Sequence, residues 1–280
     1  MSNVSDSEFN KELGQRVDVG DLDIPMLPAV AQKVIQVTSD PDSDTAQLTK
    51  VIQSDQALAA RVMNVANSVA YSPNGGVTSL QQAGSRLGMT MIRDIALASS
   101  INARIFKAPG FEGHIANIWQ HALATALWSQ AIAKRIKKDM DSAFLCGLLH
   151  SVGKPVMIQE AVDVAEEEDL TSDIDIIMEI VEELSSDAAR LALTKWKMPN
   201  VIIDAVTHYK NYQDADEGKN LAMIVNAATI LAEHMLTEFP EVEDLPGKAV
   251  FADLNLSEKD IDALREQIPN IRSALEEMKP

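Results

Sequence analysis

Cysteine is nearly absent from this 280-residue sequence, in which Cys146 stands alone. A single cysteine excludes an intrachain disulfide, a usage typical of proteins in the reducing cytoplasm. Cys146 lies in an apolar segment with no cation beside it in sequence, so we interpret it as a small core residue and not as a reactive thiol. On this basis we expect a cytoplasmic protein.

Aromatic residues are also scarce, at 4% of the chain, although apolar residues as a whole reach 46%. The core must therefore be built from Ala, Leu, Ile, Val and Met, a palette that favours packed helices over sheets. The longest apolar runs are too short to span a bilayer, and the first residues are polar and acidic, unlike a signal peptide. These features predict an all-α protein that does not enter the membrane.

Positive charge is the third shortage. The sequence has 24 Lys and Arg residues but 42 Asp and Glu residues, which gives a net charge of −18. Binding to nucleic acid would require a basic patch against this field, so we do not expect a nucleic-acid partner. The charge-dense runs 166–169 and 182–183 are acidic. We interpret them as solvated surface and linker, with a docking face for a basic partner as the alternative.

Helical periodicity and helix-end signals follow one another along the rest of the chain. Thr78-Ser79-Leu80-Gln81 predicts a capping box in which Gln81 reaches back to the N-cap amide, and Ser257 to Asp260 predicts a second one. Gly88 is expected to end the first of these helices in a left-handed conformation. Further on, the pattern predicts separate helices at 173–183 and 185–196.

A long predicted helix carries His121 on the same face as Ile118, Thr125, Trp128 and Ile132. Three of these five residues are large and apolar, so we expect this face to point into the core. Thr125 does not contradict that expectation, because its hydroxyl can bond back to the carbonyl oxygen of His121 one turn earlier.

His150 ends the next predicted helix and shares a face with Ala143, Cys146 and Gly147, so it is also expected to point inward. Two inward histidines on consecutive helices can converge. A lone inward histidine is more often a satisfied core residue than a ligand, whereas a converging pair is equally compatible with a former metal site. His208, near the end of a later helix, is a third residue that could join them.

Several short segments form a specific pattern only when they are taken together. They are LPAVA at 27–31, IQSDQAL at 52–58, VANS at 65–68, the segment 79–88, GLLHSVGK at 147–154 and WKMP at 196–199, which leads to His208. On these segments the chain, from Leu27 to its C-terminus, resembles the HDOD family. That family is a bacterial signalling group related to the HD-domain phosphohydrolases but lacking their complete set of metal ligands.

The resemblance implies where a metal site would have been. Catalytic HD proteins use a histidine, a His-Asp pair and a distant aspartate, and these positions correspond here to His121, to His150-Ser151 and to Thr229. Both carboxylates are therefore missing, and Ser185 stands where the family often has a histidine. Because Mg²⁺ and Mn²⁺ prefer carboxylate oxygens, we expect no cofactor, no catalytic residue and no bound metal. If a metal does bind, the expected ligands are His121, His150 and His208.

The resemblance also implies the domain organisation. We expect an acidic extension at 1–22, followed by an HDOD domain at 25–240 and by C-terminal helices at 241–280 that close over it. Within the HDOD domain, an N-terminal helical bundle at 25–108 would pack on an HD-like helical bundle at 110–240. A fused receiver domain has no room in this sequence, so we expect the protein to act in trans.

The function implied is that of a non-enzymatic signalling module that binds a protein partner or a small ligand. The vestigial cleft expected to hold that ligand comprises His121, His150, Ser151, Lys154, His208 and Thr229. The alternative is a residual metal-dependent phosphohydrolase acting on a nucleotide or phosphodiester, with Lys154 near a phosphate. A homo-oligomeric building block is a further alternative.

Overall fold

A computed structural model of the protein describes residues 2–40, 42–67, 76–100, 106, 108–167, 173–237 and 245–278. All regular elements in these ranges are helical, which confirms the predicted all-α fold. The α-helices are α1 Ser2–Val19, α2 Ala29–Ser39, α3 Thr45–Gln53, α4 Gln56–Asn67, α5 Leu80–Ser100, α6 Glu112–Arg135, α7 Met140–Leu149, α8 Gly153–Glu167, α9 Ile174–Lys195, α10 Asn200–His208, α11 Lys219–Leu236, α12 Ala249–Asp253, α13 Glu258–Arg265 and α14 Ile268–Met278, with a 3₁₀ helix at Tyr209–Asp214. The predicted boundary at 240–241 and part of the acidic run 166–169 lie outside the described residues.

Two groups of helices share one apolar core. In the first group, α2, α3 and α4 pack against α5, and α5 in turn contacts α7. In the second group, α6 packs on α7 and α11, while α8 packs on α9 and α10 joins α9 to α11. The C-terminal helix α14 contacts both α4 and α6. Among the described residues, no helix combines the length and apolar character that a membrane span requires.

Two glycines set the close helix contacts around the later site. A Cβ atom on Gly147 of α7 would lie 2.7 Å from the Cα atom of Ala126 on α6. A Cβ atom on Gly153, at the start of α8, would overlap the carbonyl oxygen of Ser185 on α9 and lie 2.7 Å from the amide nitrogen of Ala189. Because real Cβ atoms do not approach backbone so closely, only glycine allows these two helix pairs to pack as they do.

The N-terminal segment is a docked helix. Helix α1 packs on α8 and α9 and buries Phe9 and Leu13 completely. The guanidinium of Arg16 lies 2.8 Å from the carboxylate of Glu160, which is only 3% exposed. The other oxygen of Glu160 accepts a hydrogen bond from the amide of Asp23 at 3.1 Å. Residues before the predicted HDOD start therefore contribute to the core.

Local structure corrects two of the helix-end predictions and confirms a third. Ser79 accepts from the amide of Gln82 at 3.2 Å, and the Gln82 side chain accepts from the amide of Thr78 at 2.9 Å, so Gln82 takes the role predicted for Gln81. Gly88 does have a positive φ of 79°, but its ψ of 162° is extended and produces a kink within α5. The capping box at Ser257 is confirmed.

Helix α9 is continuous across the predicted break between 183 and 185. The hydroxyl of Ser185 donates to the carbonyl oxygen of Glu182 at 3.2 Å, within the helix. Serine is tolerated inside a helix when its hydroxyl is satisfied in this way, so the residue type alone does not mark a helix end.

Candidate functional site: a buried histidine pair under a lysine–glutamate bridge

The packing of α6 against α7 places the rings of His121 and His150 in contact. Their centroids lie 5.4 Å apart, with 56° between the ring planes. The close approach at Gly147, one turn before His150, makes this contact possible. The two histidines whose helical faces predicted an inward position are thus neighbours in the fold.

His150 is a neutral imidazole with a defined tautomer. Its Nδ1 atom lies 2.7 Å from the carbonyl oxygen of Gly147. Since a carbonyl oxygen can only accept, Nδ1 carries the proton and donates it, which leaves Nε2 as an acceptor. Burial, followed by the neighbouring His121, lowers the pKa of His150 to about 3.

His121 is more accessible, with 25% of its side chain exposed, yet its Nε2 atom is buried. Among the described residues this nitrogen has no hydrogen-bond partner, and the carboxylate of Glu233 stands 4.0 Å away. Burial, together with the charge of Lys154, lowers the pKa of His121 to about 4. Both imidazoles are therefore uncharged near neutral pH.

The predicted hydrogen bond from Thr125 to His121 is wrong. The buried Thr125 hydroxyl has no hydrogen-bond partner within the described part of the chain. Threonine divides between two side-chain rotamers in helices, so its presence on the face did not guarantee a bond to the preceding turn.

Tyr209 completes the buried part of the site, and sequence reasoning missed it. Its ring meets that of His150 edge-on, with centroids 5.1 Å apart and an interplanar angle of 86°. Burial raises the pKa of the Tyr209 phenol, so this group is also neutral. The only signal in the sequence was its position directly after His208.

A bridge of three charged side chains stands beside the imidazoles. Lys154 on α8 and Lys210 on the 3₁₀ helix are both ion-paired with Glu182 on α9, and the Lys210 Nζ atom lies 2.8 Å from Glu182 Oε2. Burial opposes ionisation of Glu182, but the two lysine hydrogen bonds outweigh it, so its pKa is lowered. Lys154 was predicted to belong to the site. Glu182 was missed because the run 182–183 was interpreted as solvated surface. Lys210 was missed as well.

Ser151 and Thr229, the two residues that the resemblance aligned with missing carboxylates, lie in different surroundings. Ser151 is buried and lines a small apolar pocket with Trp119, Leu148 and Pro155. The Thr229 hydroxyl donates to the carbonyl oxygen of Asn226 at 2.7 Å, within its own helix. The Thr229 hydroxyl is therefore satisfied without a ligand.

His208 takes part in a different arrangement. Its Nδ1 atom lies 2.8 Å from Asp204 Oδ1, and the other carboxylate oxygen of Asp204 accepts from the amides of Asp216 and Gly218 at 2.9 and 2.8 Å. This network fixes the connection between α10 and α11. The Nδ1 atom of His208 is therefore bonded to Asp204.

The donor set around the imidazoles does not fit a hard divalent cation. Among the described residues, no three His, Cys, Asp or Glu side chains are grouped so that they could hold a metal ion. The Glu182 carboxylate is neutralised by two lysines, which compete with any cation for its oxygens. Mg²⁺ and Mn²⁺ require several oxygen ligands, whereas this site offers mainly two neutral nitrogens.

The fold agrees with the comparison to known families. The model of the HDOD domain matches residues 24–212, and the chain therefore belongs to the HDOD family. This result confirms the resemblance inferred from the sequence segments.

Individual relatives are distant. An uncharacterised protein from Treponema pallidum (strain Nichols) is 23% identical over 245 residues, which are 84% of this chain and 46% of that protein. The chain thus spans about half the length of this curated relative.

Solved structures share the architecture. A protein from Shewanella amazonensis SB2B, named as a candidate metal-dependent phosphohydrolase, superposes with a TM-score of 0.77 at 18% identity, covering 97% of this chain and 99% of that one. A protein from Marinobacter aquaeolei VT8, named as a candidate signal transduction protein, gives a TM-score of 0.65 at 24% identity, covering 99% of this chain and 66% of that one. At these identities the similarity demonstrates the fold alone.

Proposed function

We propose that this HDOD protein is a non-enzymatic signal-transduction module that acts by binding a protein partner or a small ligand at a degraded metal-phosphohydrolase site. The observation that supports this proposal is the contact between the neutral imidazoles of His121 and His150. Under the resemblance, the neighbouring Ser151 and Thr229 would stand in place of metal-binding carboxylates. A cytoplasmic location, expected from the single cysteine, is part of the proposal.

Electrostatics at the site favour binding over hydrolysis. Hydrolysis near neutral pH needs a group that generates hydroxide, usually a metal held by carboxylates as well as histidines. Here the bridge carboxylate of Glu182 is engaged by Lys154 and Lys210, and the imidazoles stay neutral. The neutral imidazoles can form hydrogen bonds with a ligand through their unprotonated nitrogens.

One observation favours a second function, a residual metal-dependent phosphohydrolase. Glu233 lies one helical turn after Thr229, and its carboxylate reaches to within 4.0 Å of His121 Nε2. In that case His121, His150 and Glu233 would have to move together to become the ligands, in place of the set with His208, because they do not form a metal-binding group as they lie. The name of the Shewanella amazonensis structure is compatible with this alternative, as the name of the Marinobacter aquaeolei structure is with the first.

Metal content and hydrolysis separate the two functions. Protein purified without a histidine tag would be analysed for metal and then assayed on nucleotides and phosphodiesters with added Mn²⁺, Fe²⁺ or Zn²⁺. We expect no turnover above that of the His121→Leu/His150→Leu double variant. Stoichiometric metal, together with hydrolysis that is lost in both Glu233→Gln and the double variant, would establish the phosphohydrolase instead.

Partner capture tests the binding role directly. Wild-type protein and His121→Leu would be used as baits in a native lysate, with His234→Leu as the matched control for loss of an imidazole outside the pair. We expect a partner that is retained by the wild type and the control but lost by His121→Leu. Equal capture by all three baits would place the interaction elsewhere on the protein.

A further inference from the structure

The bridge of Lys154, Glu182 and Lys210 joins three elements that are distant in the chain. Lys154 lies in the first turn of α8, Glu182 in the middle of α9 and Lys210 in the 3₁₀ helix. Half of the Glu182 side chain is exposed, whereas Lys154 is only 21% exposed. Lys210 is 44% exposed, so Lys154 is the more enclosed of the two ammonium groups, and Glu182 and Lys210 both reach solvent.

The two ammonium groups also act on the buried histidine pair. The charges of Lys154 and Lys210 both contribute to the lowered pKa of His150, and the charge of Glu182 opposes that effect at His121. The geometry agrees, because Lys210 directly follows Tyr209, whose ring contacts that of His150. Two positive charges face one negative charge at this point, in a chain whose net charge is −18.

We propose that Lys154 and Lys210 bind the oxyanion of the site's ligand, a phosphate or a carboxylate, and that Glu182 is the internal anion which this group displaces. This inference rests on the ligand-binding role proposed above and names the chemistry of the ligand. Glu182 occupies the position that the oxyanion would take, between both ammonium groups. The bridge closes the site when no ligand is bound.

Displacement is energetically accessible. Partly exposed ion pairs such as these contribute little to stability, so the Glu182 side chain loses little free energy when it is released into water. A phosphate carries a charge of about −1.5 to −2 near neutral pH, more than a single carboxylate, and presents several acceptor oxygens to the two ammonium groups. A phosphate should therefore compete with Glu182 better than a carboxylate does.

Titration with inorganic phosphate tests the inference, with acetate at matched ionic strength as the second anion. The readout is the ring resonances of His121 and His150 in histidine-labelled protein, because these rings lie beside the bridge. We expect phosphate to shift both resonances saturably, with acetate weaker. Lys210→Met should lower phosphate affinity by about threefold or more, and Glu182→Gln should raise it by a similar factor.

Asp187→Asn is the matched control for the loss of negative charge. Asp187 lies on the same helix as Glu182 and is also ion-paired, to Arg190 at 2.6 Å, but outside the bridge. We expect this variant to bind phosphate as the wild type does. If Asp187→Asn gained as much phosphate affinity as Glu182→Gln, the effect would be one of net charge and the inference would fail. The inference would also be overturned if phosphate caused no saturable shifts, or if Lys210→Met bound phosphate as tightly as the wild type.

The result of the phosphate titration is independent of the result of the hydrolysis assay. If neither anion binds, the protein can still be a module for a protein partner, and only the oxyanion assignment fails. If hydrolysis is found, the non-enzymatic function fails, whereas the dependence of phosphate affinity on Lys210 and Glu182 would stand.

Discussion

The junction of α1 with α8 and the histidine site both bury polar groups, but the two regions differ in how completely these groups are hydrogen-bonded. At the junction, both oxygens of the nearly inaccessible Glu160 are bonded, to Arg16 and to the amide of Asp23. At the site, the buried Nε2 atom of His121 lacks a hydrogen-bond partner among the described residues. Buried polar groups without a partner reduce stability, so they persist in sites where another requirement retains them.

Under the proposed function, this difference separates a structural contact from a ligand-binding one. The Arg16–Glu160 pair links the N-terminal helix to the core, and both oxygens of its carboxylate are hydrogen-bonded within the protein. The histidine site retains neutral polar atoms with unused capacity, next to a charged bridge that is open to solvent. Three predictions test whether the two regions differ in this way.

A large effect is expected from Arg16→Ala. Removal of this guanidinium leaves the Glu160 carboxylate buried without its charged partner, and breaking a buried pair costs about 3–5 kcal/mol. Because Arg16 is itself partly exposed, we expect a loss of about 3 kcal/mol in the free energy of unfolding, measured by urea denaturation. Arg190→Ala, which breaks the exposed pair with Asp187, should cost less than about 1 kcal/mol and serves as the control.

An effect of similar size is expected from pH, because the contributions of the two histidines add. The folded-state pKa values of His121 and His150, about 4 and about 3, lie below the unfolded value of 6.5. The unfolded chain therefore binds more protons as the pH falls below 6.5, and stability decreases until the folded-state pKa values are reached. At pH 5 the loss should be about 2 kcal/mol per histidine relative to neutral pH.

The matched experiment compares urea denaturation of the wild type and His121→Leu/His150→Leu at both pH values. Subtraction of the two profiles removes the contribution of other titrating groups, among them Asp94, whose burial raises its pKa to about 7. Parallel profiles for the two proteins would mean that the pair is not held neutral by burial.

The smallest effect, and the one of opposite sign, is expected from His121→Leu. Since His121 Nε2 makes no hydrogen bond within the described structure, its replacement by an apolar side chain of similar size should leave stability unchanged or raise it by up to about 1 kcal/mol. A loss comparable to that of Arg16→Ala would show that the histidine is structural, and the distinction between the two regions would then disappear.

Sequence patterns predicted the helical faces better than the helix ends. The predicted inward face was correct for Thr125, Trp128 and Ile132, which are completely buried, because apolar spacing at about 3.6 residues reflects burial directly. His121, at the start of this face, is 25% exposed. The exact register of the capping box at Ser79 was missed by one residue, since Gln81 and Gln82 are adjacent and chemically identical. The continuity of α9 was missed because serine occurs both at helix ends and in helix interiors.

The sequence by itself determined the all-α class, the family and the inward positions of His121 and His150, because each of these follows from composition, short motifs or local periodicity. Only the tertiary structure decided that Tyr209, Glu182 and Lys210 join that pair. The physical reason is that those contacts connect residues on separate helices, 28 or more positions apart in the chain. Their side-chain directions depend on how the helices pack, which no local pattern specifies.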